Sequence, residues 1–450
     1  MLITITTLGG AERLRWQVME VPRVDVPFTS HLVVQAIAPD GALTGRSGST
    51  LSDVGWHAFV WTPDGGTQPC LDTNWSLSQG DAINTAHTVA GRVSQCPPQD
   101  GACDSAPAML SLDGQATLLG PLIPQVSMTA GITESGHVVF TQRYESSSDR
   151  GGWVVMPNGT TIELPLPATA WSLNLAAPKV VDELNQALVI AGYVWMTPNR
   201  QPMVWTVEPT GEVTSMLLPT PESNGEAHAV LTDGSILGLA SIEGSKIPVR
   251  WTAPWETWTP LADAQVDRTW KAATCGTTDG RTAGTVTIAG RQAVWVRETD
   301  GTIFTLDAAI LGLSSADISV VAWLPDGSVL LDIFDLTTYA TRSGTWHAET
   351  GFATVASRAF DSDPIEGLGT GSVIGAAIDG SLAINRYPDA WAAIAIAPGD
   401  ANGDGTITVD DLLETIAQWG SCGVPCLGDL DADGHIGVDD LLIVLSAMSG

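Results

Sequence analysis

Near the C-terminal end, Asp400, Asn402 and Asp404 stand at alternate positions, followed by Gly405, Thr406, Thr408 and Asp411. The same order returns 29 residues later as Asp429, Asp431, Asp433, Gly434, His435, Gly437 and Asp440. Oxygen ligands at loop positions 1, 3 and 5, a glycine at 6, a backbone carbonyl at 7 and a carboxylate at 12 form the donor set that winds around a calcium ion. The carbonyls fall at Thr406 and His435. Position 9 is Thr408 in the first loop; Gly437 in the second has no side chain and leaves that place to water. The pattern predicts two Ca²⁺ ions, held by Asp400, Asn402, Asp404, Thr406, Thr408 and Asp411, and by Asp429, Asp431, Asp433, His435 and Asp440. Two acidic turns without metal are the competing reading, and two copies in phase weigh against it.

A helix follows each loop. "VDDLLETIAQWG" places Val409, Leu412, Leu413, Ile416 and Ala417 on one face, and "VDDLLIVLSAM" does the same with Val438, Leu441, Leu442, Leu445 and Met448. The expectation is that these two faces pack together. A segment of about fifty residues is too small to fold on its core alone. Calcium would neutralise its carboxylates and couple binding to folding, and Cys422 and Cys426 in "CGVPC" would add a staple.

The preceding residues repeat. "APDGALTG" at Ala38 is followed by related stretches whose turn positions are Gly41, His87, Gly136, Gln186, Gly234, Gly280, Gly327 and Gly380, with steps of 46, 49, 50, 48, 46, 47 and 53 residues. Each turn joins two short apolar runs, a hairpin signal. A second hairpin follows in each unit, with Trp61, Trp205, Trp251, Trp295 and Trp346 at equivalent places. Four strands in about 48 residues is one blade of a β-propeller. The chain opens on a second-half motif, "ERLRWQVMEV", and its last unit is a first half, "AAIDGSLAINRY". Pairing of the two ends closes a composite blade and gives eight; seven is the alternative, if "DAWAAIAI" completes the last unit alone. The expected fold is therefore mainly β, with a propeller over residues 1–395 and a small α-helical calcium-binding domain over 396–450.

Composition narrows the partners. Against 19 Lys+Arg stand 50 Asp+Glu, a formal charge of −31, which repels nucleic acid and anionic membranes. No apolar run reaches the roughly 20 residues of a membrane helix. "MLITITTLGG" lacks a basic segment and enough apolar length for a signal peptide. The Cys96/Cys103 pair in "CPPQDGAC" reads as a disulfide, with zinc as its rival, so export is expected, by a leader not present in this sequence. The chain contains no Gly-x-Ser-x-Gly elbow and no His-Glu-x-x-His. The repeating Trp are expected in the core and the Asp before each turn Gly in turn stabilisation. Trp255 and Trp258 in "APWETWTP" break the repeat and are expected to be exposed contacts. No catalytic residue is assigned.

Two resemblances add to this. "HAFVW", "AIN" and the opening "ITITTLGG" resemble the HAF repeats of bacterial extracellular proteins, over roughly 1–390, which implies an exported propeller. The duplicated loop-helix with Asp at position 12, over 399–450, resembles a type I dockerin. That implies a calcium-dependent module that binds a cohesin partner, with positions 10 and 11 of each loop helping to choose it. Here those are Val409, Asp410, Val438 and Asp439, where the familiar pair is Ser-Thr. The expected function is a secreted, non-catalytic binding or scaffolding propeller, carrying a carbohydrate or protein ligand and attached to a partner or cell surface through its tail. The alternative is a glycan-active enzyme, a polysaccharide hydrolase or lyase bearing a dockerin.

Overall fold

The computed structural model describes residues 14–24, 31–48, 55–70, 75–96, 103–123, 128–143, 150–175, 179–181, 187–263, 268–358, 371–386, 388–397, 399–403, 406–421, 428–431 and 435–448. Short antiparallel strands joined by tight turns form eight sheets arranged as the blades of a propeller. Blades 1 to 7 occupy residues 31–69, 77–118, 128–163, 170–217, 225–260, 268–306 and 316–354. Blade 8 combines Ser372–Ala376, Leu382–Arg386 and Asp389–Ala395 with the N-terminal strand Trp16–Glu20 on its outer edge. The ends therefore close the ring as expected, but in a three-to-one split. "DAWAAIA" is the third strand of the composite blade, not the completion of a seventh.

The repeated turn explains the repeated glycine. Gly41, Gly136, Gly234, Gly280, Gly327 and Gly380 all have positive φ, from +77° to +102°, where a Cβ is strained and glycine is not. His87 takes the same conformation at φ +56°, which identifies its place as the turn rather than as a site. The Asp before the glycine works locally: Asp233, Asp326 and Asp379 accept the backbone N–H two residues on, at 2.8–2.9 Å. Gln186 lies outside the described residues.

Between blades the wedge is filled by indoles. Trp61, Trp205, Trp251, Trp295 and Trp346 are all buried. Trp205, Trp251 and Trp295 donate their ring N–H to the carbonyls of Pro165, Pro219 and Ala272 at 2.9–3.0 Å. The core reading of these Trp holds. Trp255 does not behave as expected: it is buried, at φ +67°, with its ring N–H on Gly234 O at 2.9 Å. Its tight bend turns the indole back under the blade instead of outward. Trp258 is half-buried, paired opposite Trp251 on the outer strand of blade 5.

Cys96 and Cys103 form a disulfide. Cys70 and Cys275 are free thiols, and burial pushes both up to about 12. Cys422 and Cys426 lie outside the described residues. No helix among the described residues is long and apolar enough to cross a membrane.

Candidate metal centre

After Ala395 the chain turns from strand into two helices, α1 (Val409–Ala417) and α2 (Val438–Met448). The segment starts tied to the propeller: Arg15 donates a guanidinium N–H to Asp400 O at 2.8 Å, and Ile396 N–H bonds Arg15 O at 2.9 Å. Thr408 caps α1, its hydroxyl accepting the N–H of Asp410 at 3.2 Å. Asp410 and Asp411 in the first turn of α1, and Asp439 and Asp440 in that of α2, put negative charge at the positive end of each helix.

The position-12 carboxylates are wired identically. Asp411 Oδ1 accepts the N–H groups of Ala401 (2.8 Å) and Asn402 (3.1 Å), and Oδ2 accepts that of Thr408 (2.8 Å). Asp440 Oδ1 accepts from Leu430 (2.6 Å) and Asp431 (3.3 Å), and Oδ2 from Gly437 (2.7 Å). Each carboxylate thus gathers loop positions 2, 3 and 9 around itself. Asp400 Oδ1 accepts Gly403 N–H at 2.6 Å, which winds the first loop inward. Gly403 itself sits at φ +72°.

Burial makes these charges consequential. Asp400, Asp411, Asp429 and Asp440 are all buried, and Asp411 completely. In the second loop Asp429, Asp431 and Asp440 each offer an oxygen within 4.8 Å of the other two. Like charges at that separation repel by about 3 kcal/mol per pair at an effective dielectric of about 20. No salt bridge among the described residues reaches Asp411 or Asp440. An all-oxygen, anionic donor set of this kind fits a hard divalent cation. Asn402 and Asp431 are half-buried at loop position 3, and Thr406 and His435 are exposed at position 7. Asp404 and Asp433, the position-5 residues, lie outside the described residues.

The helix faces differ from the expectation. The expected apolar faces do not pack on each other. Val409, Leu413, Ile416 and Trp419, and likewise Val438, Leu442, Leu445 and Met448, are 41–61% exposed. The small core between the helices is instead Ala401, Leu430 and Val444, with Leu412 and Ile443 against it. The cause is rotational. Asp411 must face its loop, so Thr415, four residues on, faces inward as well. Positions 409, 413 and 416 then fall on the far side of the helix. Asp440 and Val444 set α2 in the same way. The result is two exposed apolar stripes, matched residue for residue. Asp410 and Asp439 are exposed beside their first members.

No protein-family model matches the chain, and no curated protein matches it. Among solved structures it is similar to a streptogramin B lyase, at 15% identity over 70% of this chain and 94% of that one, with a TM-score of 0.38. It is also similar to Sqt1 of Chaetomium thermophilum, at 12% identity over 84% of this chain and 97% of that one, TM-score 0.47. Against dipeptidyl peptidase 4 of Porphyromonas gingivalis it shows 9% identity over 82% of this chain and 61% of that one, TM-score 0.49.

Proposed function

We propose that the tail is a calcium-dependent docking module and that the propeller is the cargo it attaches. The observation that carries this is the duplicated wiring of Asp411 and Asp440, each buried and each gathering the same three loop positions, beside two matched apolar stripes. In this reading Asp400, Asn402, Asp404 and Asp411, with the Thr406 carbonyl, hold one Ca²⁺. Asp429, Asp431, Asp433 and Asp440, with the His435 carbonyl, hold the other. Bound calcium would supply the positive charge that lets the carboxylates converge, and so would fix the rotation of both helices. The stripes, with Asp410 and Asp439 beside Val409 and Val438, are then the surface a cohesin-like partner covers; exposed apolar area in rows of this length is characteristic of interaction surfaces. The Cys96–Cys103 disulfide supports an extracellular or cell-surface setting. The structural use of the turn Asp and of the repeat Trp supports a binding rather than a catalytic propeller.

The test is calcium titration of the full chain by calorimetry, beside Asp411→Ala and Asp440→Ala. Two sites in the parent and one in each variant are expected. No saturable uptake at millimolar calcium would remove the docking reading.

A further inference from the structure

The chain has only 19 Lys and Arg, yet four of them line one pocket. It lies where blades 4, 5 and 6 meet, has a volume of about 510 Å³, and is lined by Arg200, Lys246, Arg268 and Lys271 around Glu226. That volume is in the range of small-ligand sites. Glu226 is the internal counter-ion: its Oε1 accepts Arg200 Nη1 at 2.8 Å and Lys246 Nζ at 2.6 Å. Burial works to raise its carboxyl, but the Lys246 hydrogen bond and the neighbouring cations outweigh it and hold it below the usual range. Glu222 adds a second carboxylate at the rim, accepting the N–H of the lining Gly244 at 3.0 Å, but among the described residues two carboxylates still face four cations, so the pocket stays positive inside a molecule of charge −31. Two ring or guanidinium nitrogens of the lining lack hydrogen-bond partners among the described residues. Arg268 donates from Nη1 to Thr305 at 2.7 Å, but its buried Nε has no hydrogen-bond partner. Nor does the buried ring N–H of Trp270, another residue of the lining. Buried donors of this kind call for an acceptor.

Aromatic rings adjoin Arg200 on the blade 4 side of the pocket. The Arg200 guanidinium lies 4.0 Å from the centroid of Trp195, beside Tyr193. Trp171 packs on Trp195 at 5.7 Å and is 46% exposed. A β-bulge between Ala170 and Ser172 leaves Trp171 out of the ladder and re-aims its ring. An arginine over an indole, with Nη1 on Glu226, keeps its other guanidinium N–H groups for a further carboxylate, and an exposed indole offers a face to a sugar ring.

We propose that this face of the propeller binds an acidic oligosaccharide, with the carboxylates of its sugars in the basic pocket and a ring against Trp171. The site is built from propeller residues alone, so it stands or falls independently of the tail.

The experiment uses the full chain in chelator and about 150 mM salt. Chelator removes calcium bridging between uronates and the acidic tail. At this ionic strength distant carboxylates are screened beyond about 8 Å. Tetragalacturonate, a neutral tetrasaccharide, tetraglutamate and inorganic phosphate are titrated by calorimetry. Tetragalacturonate is expected to bind at least tenfold more tightly than the other three. Lys246→Glu and Lys271→Glu are each expected to weaken it at least tenfold. Trp171→Ala should weaken the tetramer severalfold. Because Lys271 and Trp171 are exposed, their variants should melt with the parent even if Lys246→Glu disturbs the Glu226 network. Absence of tetragalacturonate binding, equal binding of the neutral sugar, or full affinity in Lys271→Glu would each overturn the proposal. Phosphate or tetraglutamate binding as tightly as the uronate would overturn the sugar assignment.

Discussion

At the scale of single residues, the informative groups are those whose burial and partners leave no choice of role. Asp411 is fully buried and takes three backbone N–H bonds; charge-assisted bonds of this kind are worth about 1.5–3 kcal/mol each when removal orphans the donor. If the tail binds calcium as proposed, Asp411→Ala is expected to cost one calcium site and to release the first loop, read as loss of one calorimetric site and of protection of the Ala401 and Asn402 amides in hydrogen exchange. The second loop should keep its own ion. On the propeller, Gly234 at φ +77° predicts that Gly234→Ala destabilises by about 1 kcal/mol, measurable as a lowered midpoint in denaturant. The turn glycines were readable from sequence, because a backbone demand leaves a residue type at a fixed spacing. Trp255 was not. Whether an indole beside a turn points out or folds under depends on one φ value, and no residue pattern reports it. The pocket around Glu226 was equally hidden, since Arg200, Lys246 and Arg268 come from three blades and only the ring brings them together.

Periodicity reports that a helix has an apolar stripe; it does not say which way the stripe faces. In α1 and α2 the pattern of Val409, Leu413 and Ile416, repeated in Val438, Leu442 and Leu445, reads equally well as core or as interface. What decides is Asp411 and Asp440, whose inward setting turns the stripes outward. This makes the element-scale prediction sharp. Leu413 and Leu442 are 56% and 51% exposed, so Leu413→Asp with Leu442→Asp should leave calcium stoichiometry and the melting profile unchanged. If the stripes dock a partner, the double variant should lose capture by a panel of recombinant cohesin modules that retain the parent in calcium. Loss of stability in the double variant would return the stripes to the core.

The propeller is a ring, and a ring has one seam. In blade 8 that seam is the pairing of Trp16–Glu20 with Asp389–Ala395. Trp16 is fully buried and donates to Gly380 O at 2.9 Å, and it packs in a cluster with Leu324 and Leu330 of blade 7 and Val355 just after it. The seam was legible because the repeat begins and ends out of phase; the three-to-one split was not, because strand order within a blade depends on which edge the first strand meets. Removing residues 1–24 would delete the outer strand, expose the edge of Asp389–Ala395 and take an indole from between two blades. Burial of a Trp alone is worth about 3–5 kcal/mol, and an unpaired edge invites association with another copy. The truncated chain is expected to unfold at markedly lower temperature and to elute as aggregates on size exclusion. Removing residues 399–450 instead should leave the propeller's unfolding nearly unchanged, since the described contacts crossing to it are few, Arg15 to Asp400 among them. If both truncations melted with the parent, closure by the N-terminal strand would not be what holds the ring, and each blade would have to be stable with an open neighbour.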